Sequence, residues 1–163
     1  MIITDPSRLL TARKHIIKSA GHLEKGLDPT KRQETVQICV NILKHYEFDA
    51  IAFRGLSGAL FAPTVAMLMD KSLLAVRKDE QSHSFRMVEG DHAAGRYVIL
   101  DDFISSGETV RNIVEEIHNV MPWAQCIGIL QYLWKTPSSD WRYSIDPVDH
   151  WVSKKTLNGW NLI

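Results

Sequence analysis

The sequence predicts an α/β fold in which a mostly parallel, twisted sheet is flanked by helices. From residue 50 onward, short apolar segments alternate with helical stretches, which is typical of parallel sheets. Polar or glycine-containing loops follow the apolar segments, at the edge where ligands bind in such folds. Helical spacing precedes this pattern and an aromatic-rich tail follows it. These observations together indicate one α/β core with two flanking segments.

We expect one domain of 163 residues, since this length can bury a core of ordinary size. Its parts would be a helical segment at 1–48, an α/β core at 49–133 and a tail at 134–163. Asp5-Pro6 predicts the start of a helix to about residue 20, because Asp is a good N-cap and Pro is favoured at the first helical position. Asp28-Pro29 repeats this signal and predicts a second helix to about Tyr46.

The core predicts four strands and two helices. The strands are expected at Ala50–Phe53, Leu73–Val76, Tyr97–Leu100 and Cys126–Leu133. The helices are expected at Ala59–Met69 and Thr109–Met121, with a loop over Arg54–Gly58 and a hairpin around Phe85–Val88. Pro63 fits the first of these helices only if it lies in the first turn.

Composition and charge limit the kinds of partner that this protein is expected to bind. Lys plus Arg and Asp plus Glu both number 19, and this zero net charge gives no reason to expect a nucleic acid partner. No apolar run reaches the roughly 18 residues of a membrane span, and the first residues do not resemble a signal peptide. Cys39 and Cys126 each lie in an apolar segment, which indicates buried free thiols. We therefore expect a cytoplasmic protein with no membrane partner.

Two aspartates end the third predicted strand, and a hydroxyl-rich turn follows them. Ser105, Ser106, Gly107 and Thr109 lie where this strand would turn into a helix. Such a turn presents backbone N–H groups and the positive end of the helix dipole to an anion such as phosphate. The alternative is a plain helix cap in which Ser105 or Ser106 is the capping residue.

The aspartates favour the first interpretation. Asp101 and Asp102 are adjacent like charges, which are costly unless cations or hydroxyl groups contact them. A sugar phosphate would satisfy both groups of residues. The turn would bind the phosphate, and the carboxylates would accept hydrogen bonds from the sugar hydroxyls.

The segment Tyr97–Thr109, YVILDDFISSGET, resembles the phosphoribosyl pyrophosphate signature of the type I phosphoribosyltransferases. The signature consists of an apolar strand, two acidic residues and x-x-Ser/Thr-x-Gly-x-Thr. The resemblance implies that the turn of Ser105, Ser106, Gly107, Glu108 and Thr109 binds the 5-phosphate. It also implies that Asp101 and Asp102 are catalytic residues that orient the ribose hydroxyls and contact Mg²⁺, directly or through water.

Two further loops extend the resemblance over roughly Phe48 to Leu133. The loop of Arg54, Gly55, Leu56 and Ser57 is similar to the one that binds pyrophosphate in this family. Arg77, Lys78 and His83 match the Arg-Lys-x-x-Lys-x-His-Gly loop of orotate-type members, which closes over the reaction. In this chain, Gln81 replaces the second lysine and Ser84 the glycine. The lost lysine argues against orotate as the substrate.

The sequence gives the least information about the segment that would bind the base. Aromatic residues of the tail could stack on a flat base, and Trp134 is the candidate because it follows the last core strand. The alternative is that the tail tryptophans pack onto the core or form a dimer interface. The tail aromatics are Trp134, Trp141, Tyr143, Trp151 and Trp160.

The resemblance implies a nucleobase phosphoribosyltransferase with Mg²⁺ as cofactor. Such an enzyme transfers ribose 5-phosphate from phosphoribosyl pyrophosphate to a purine or pyrimidine base and releases pyrophosphate. A homodimer is expected, because family members are commonly dimers. Two alternatives stay open. One is a non-catalytic regulator that binds phosphoribosyl pyrophosphate, and the other is an unrelated doubly wound domain.

Overall fold

Within the part of the chain described by the computed structural model, five strands form one sheet in the order β3-β2-β1-β4-β5. The described residues are 21, 23–78, 86–102, 104 and 106–132. The strands are β1 (Ala50–Arg54), β2 (Ser72–Val76), β3 (Val88–Gly90), β4 (Arg96–Asp101) and β5 (Gln125–Gln131). Four of them are mutually parallel, and β3 pairs antiparallel with β2. The predicted mostly parallel sheet is confirmed.

Helices lie on both faces of this sheet. They are α1 (Glu24–Leu27), α2 (Pro29–Leu43), α3 (Gly55–Met69) and α4 (Glu108–Val120). One buried cluster joins α4 to side chains such as Ala52 and Ile99. The other joins α2 and α3 to side chains such as Ile51 and Val98. Since successive side chains of a strand point to opposite faces, each central strand contributes to both clusters.

The Asp28-Pro29 signal is confirmed as a helix start. The Asp28 carboxylate accepts hydrogen bonds from the backbone N–H groups of Thr30 (2.9 Å) and Lys31 (3.0 Å), and Pro29 is the first residue of α2. These contacts satisfy donors that a helix start leaves without partners. The short helix α1 was not predicted. The helix expected over residues 5–20 lies outside the described residues.

The predicted loop over Arg54–Gly58 is wrong, because α3 begins at Gly55, directly after β1. Gly55 has φ 76°, a left-handed conformation that glycine adopts without strain. Pro63 consequently lies inside the helix and not in its first turn. Ala59, whose carbonyl loses its helical partner, is exposed like Pro63. Water can therefore hydrate that carbonyl.

The remaining predictions differ at the element ends. The α4 helix is shifted by one residue from its predicted bounds. The hairpin expected around Phe85–Val88 lies partly outside the described residues; Val88 begins β3, which pairs antiparallel with β2. Cys39 and Cys126 are buried free thiols on opposite faces of the sheet. No helix of the described residues is long and apolar enough to cross a membrane.

Candidate functional site

A cavity of about 240 Å³ opens at the carboxyl ends of β1, β2 and β4. In a sheet of this order, β1 and β4 are the neighbours from which the chain proceeds in opposite directions, and ligands of α/β folds bind at such a point. The residues around the cavity come from the three segments in which the sequence predicts site residues. They are Arg54, Ser57, Lys78, Asp101, Asp102, Ile104, Ser106, Gly107, Glu108, Thr109 and Val110.

The carboxylates of Asp101 and Asp102 form the acidic wall of the cavity. Both residues are buried, with 5% and 6% of their surface exposed. Asp101 Oδ1 accepts hydrogen bonds from the Ser57 hydroxyl (2.9 Å) and from the Asp102 backbone N–H (2.9 Å). The pKa of Asp101 is raised to about 6, chiefly by burial and also by the neighbouring Asp102 charge, and these two hydrogen bonds oppose the rise. The pair can accept hydrogen bonds from hydroxyl groups of a ligand.

A second wall is the turn that begins α4. Gly107 occupies the N-cap position with φ 74°, and no side chain caps the helix there. The Ser106 hydroxyl accepts a hydrogen bond from the Glu108 N–H at 3.3 Å, a local contact that falls short of the capping box. The first residues of α4, Thr109 included, border the cavity, so the positive end of the helix dipole lies at its edge. This geometry is suited to an anion.

The third wall is basic and lies at the start of α3. Arg54 and Lys78 both border the cavity, and Arg54 Nη2 lies 3.5 Å from the Lys78 carbonyl oxygen. The Lys78 side chain passes over Gly55, where a Cβ would lie 2.7 Å from Lys78 Cε. The positive φ favours glycine at this position, and a Cβ there would also make the flexible Lys78 side chain move. Leu56 is 59% exposed and does not border the cavity.

The structure does not bring Arg77 to the cavity. Its guanidinium forms an ion pair with Glu89 of β3, with 2.6 Å between Arg77 Nη1 and Glu89 Oε1. This ion pair forms because β2 pairs antiparallel with β3, and the sequence did not establish that strand pairing. The remaining predicted site residues, His83, Ser105 and Trp134, lie outside the described residues.

Sequence reasoning missed Tyr132, which follows β5. Its hydroxyl donates a hydrogen bond to the Ser57 carbonyl (3.0 Å), and its backbone N–H donates one to the Asp101 carbonyl (3.1 Å). Burial raises the pKa of the Tyr132 phenol, as do the Asp102 and Asp101 charges. The available signal was its place at the carboxyl end of a parallel strand, where site residues gather.

Among the described residues, no group of three or more His, Cys, Asp or Glu side chains could hold a metal ion. Mg²⁺ commonly binds through one or two carboxylates and fills its other positions with water and substrate phosphates. The two buried carboxylates of Asp101 and Asp102 fit that smaller requirement. They do not by themselves form a closed metal site.

The fold is that of the type I phosphoribosyltransferases, which solved orotate and adenine phosphoribosyltransferases share. The orotate phosphoribosyltransferase of Mycobacterium tuberculosis in complex with phosphoribosyl pyrophosphate superposes with a TM-score of 0.54 at 15% identity. That match covers 78% of this chain and 75% of that one. At this identity the likeness shows the fold alone.

Two curated proteins are similar in sequence over part of the chain. An orotate phosphoribosyltransferase of Methanospirillum hungatei is 27% identical over 85 residues, which are 51% of this chain and 49% of that protein. The transcriptional regulator GfcR of Thermoplasma acidophilum is 35% identical over 78 residues, 44% of this chain and 37% of that protein. The chain thus spans half or less of the length of these relatives. No family model matches it.

Proposed function

We propose that this protein is a nucleobase phosphoribosyltransferase, which transfers ribose 5-phosphate from phosphoribosyl pyrophosphate to a ring nitrogen of a base and releases pyrophosphate. One observation carries the proposal. A single cavity joins two buried carboxylates, a helix N-terminus and two cationic side chains. A ribose with a phosphate at one end and a pyrophosphate at the other is complementary to these three walls.

Each wall has a proposed role in binding. The turn of Ser105 to Thr109 holds the 5-phosphate through backbone N–H groups and hydroxyls. Asp101 and Asp102 accept hydrogen bonds from the ribose hydroxyls. Arg54, Gly55 and the following N–H groups hold the pyrophosphate, and Lys78 adds a positive charge beside it. Arg77 and His83 belong to the loop that would cover the reaction, a role in which Arg77 would have to leave Glu89.

The reaction needs positioning and charge neutralisation more than proton transfer. The bond between the anomeric carbon and pyrophosphate breaks with its electron pair on the leaving oxygen, and the anomeric carbon becomes positive. A ring nitrogen of the base then supplies an electron pair to that carbon, and the proton on that nitrogen is released to water. In this proposal, the buried carboxylates stabilise that charge. Mg²⁺ bound near Asp101 and Asp102 would neutralise the pyrophosphate.

The acceptor base is left open by this proposal. Orotate and adenine are the bases named for the solved proteins with this fold. Gln81 in place of a lysine argues against orotate, and Trp134 remains the candidate for base stacking. The expected homodimer is likewise a proposal.

The test is pyrophosphate release from phosphoribosyl pyrophosphate with Mg²⁺, measured with adenine, guanine, hypoxanthine, xanthine, uracil and orotate in turn. Release with one base would establish both the reaction and the substrate. Silence with every base, together with a rise in melting temperature on adding phosphoribosyl pyrophosphate, would contradict the catalytic proposal and favour a regulator.

A regulator that binds phosphoribosyl pyrophosphate without turnover is the second candidate. The similarity to the transcriptional regulator GfcR, at 35% identity, is the observation that favours it. The ion pair of Arg77 with Glu89 also favours it, because this arrangement keeps the guanidinium away from the cavity. Titration with phosphoribosyl pyrophosphate in the absence of a base distinguishes this candidate, which would bind the ligand, from an unrelated doubly wound domain, which would not.

A further inference from the structure

Tyr132 is hydrogen-bonded to two different walls of the cavity. Its backbone N–H donates to the Asp101 carbonyl at the end of β4, and its side-chain hydroxyl donates to the Ser57 carbonyl in the first turn of α3. Its ring packs against Phe61 of the same helix, with 4.1 Å between ring centroids. This one residue therefore connects the acidic wall to the basic wall.

Ser57 makes a second connection between the same walls. Its hydroxyl donates to Asp101 Oδ1 at 2.9 Å. Gly58 allows the close approach on which these bonds depend, because a Cβ there would lie 2.6 Å from Phe53 Cβ and 3.2 Å from the Leu100 carbonyl oxygen. The first turn of α3 thus lies directly against the end of β4.

The connections occur where the sheet no longer holds the two walls together. The backbone pairing of β1 with β4 ends at Ala52 and Ile99, before either strand reaches its site residues. Beyond that point, the spacing between Arg54 and Asp101 depends on side-chain contacts. The Tyr132 and Ser57 hydroxyls supply such contacts.

We propose that Tyr132 and Ser57 are positioning residues that set the spacing between the pyrophosphate end and the ribose end of the ligand site. The inference rests on the proposed function, which supplies the two-ended ligand. A ligand that spans both walls gains affinity from having its two contacts at the right separation, and a ligand of one wall does not. Tyr132 itself does not border the cavity.

The test is Tyr132→Phe, which removes the hydroxyl and keeps the ring on Phe61. Dissociation constants are measured by calorimetry with Mg²⁺ for phosphoribosyl pyrophosphate, ribose 5-phosphate and pyrophosphate. Loss of one hydrogen bond should weaken phosphoribosyl pyrophosphate about fivefold to tenfold. Ribose 5-phosphate and pyrophosphate should each change by less than about twofold. Ser57→Ala should give the same pattern.

Tyr97→Phe is the matched control. Tyr97 is a buried tyrosine of β4 in the same buried cluster as Cys126, and it lies near the other end of that strand. The variant loses a tyrosine hydroxyl from the core without touching the cavity. Its affinities for all three ligands should equal those of the wild type.

Two results would overturn the inference. One is an equal loss for all three ligands in Tyr132→Phe, which would indicate general damage to the site. The other is unchanged affinity for phosphoribosyl pyrophosphate. Failure of the wild type to bind phosphoribosyl pyrophosphate would instead overturn the proposed function. Amide hydrogen exchange without ligand would still decide whether the hydroxyl joins the walls, since Tyr132→Phe should speed exchange at residues 54–58 and Tyr97→Phe should not.

Discussion

The turn from β1 into α3 and the turn from β4 into α4 use the same backbone device with opposite chemistry. Each has a glycine with a left-handed conformation at the helix start, Gly55 at φ 76° and Gly107 at φ 74°. Arg54 and Lys78 surround the first, whereas two buried aspartates precede the second. The sheet edge thus presents two helix starts of similar geometry, and the neighbouring charges decide what each can bind.

Substitution of the two aspartates before α4 should have the largest effect on activity. The double variant Asp101→Asn with Asp102→Asn should lower kcat/KM for pyrophosphate release by at least roughly 100-fold, because the ribose contacts and the charge opposite the anomeric carbon are both lost. The assay uses the base that the wild type accepts. The matched control is Asp70→Asn at the exposed C-terminal end of α3, where φ is 52° and Asn is well tolerated. A loss under about threefold in the double variant would contradict the assignment.

The pH dependence of the free energy of unfolding should show that burial disfavours the charged form of Asp101. The folded-state pKa of Asp101, about 6, lies above its ordinary value of 3.8. The folded protein therefore gains stability from this proton below pH 3.8 and loses that gain as the pH rises through about 6. The loss is at most about 3 kcal/mol, since one pKa unit corresponds to about 1.4 kcal/mol.

Asp101→Asn should remove this dependence. Its free energy of unfolding relative to the wild type should rise between about pH 4 and pH 7, as measured by urea denaturation. Asp91→Asn is a control of opposite sign, because the Ala93 N–H and the Ser72 hydroxyl lower the pKa of exposed Asp91. That carboxylate stabilises the fold above its ordinary pKa, and Asn should lose this contribution at neutral pH. If the difference in free energy of unfolding between Asp101→Asn and the wild type did not change with pH, burial would not disfavour the ionised carboxylate of Asp101.

Alanine at each glycine would compare the two turns directly. Gly55→Ala and Gly107→Ala should each cost roughly 1–2 kcal/mol of stability, because alanine is strained at these φ values. Gly55→Ala should also displace Lys78 and weaken pyrophosphate binding, whereas Gly107→Ala should weaken ribose 5-phosphate binding. Gly21→Ala, with nothing within 4 Å of the added Cβ, is the control. If both variants lost both ligands equally, the two turns would not bind separate ends.

The smallest expected effect concerns the hydroxyl of Thr109. Thr109→Val should raise the KM for phosphoribosyl pyrophosphate about threefold to tenfold, because one hydrogen bond to the phosphate is lost, with kcat nearly unchanged. Thr64→Val, on α3 away from the cavity, should leave the KM unchanged. An unchanged KM in Thr109→Val would favour a plain helix cap over a phosphate turn.

Sequence reasoning was most successful where the signal is local. Asp28 and Pro29 predict the start of α2, because the capping contacts join residues two and three positions apart. The apolar segments before Asp101 and Arg54 likewise predict β4 and β1 within a residue or two. The loop predicted after β1 failed for the opposite reason. Gly55 in a left-handed conformation lets the helix begin at once, and sequence spacing did not distinguish this from a loop.

The alternation of strand and helix, the two glycine-containing turns and the adjacent aspartates could be predicted from the chain alone, because each depends on neighbours a few residues away. The set of side chains that share the cavity follows only from the fold. Arg77 pairs with Glu89 through an antiparallel contact, and Tyr132 reaches Ser57 across 75 positions of the chain. Such contacts depend on the order and register of the strands, which local periodicity does not encode.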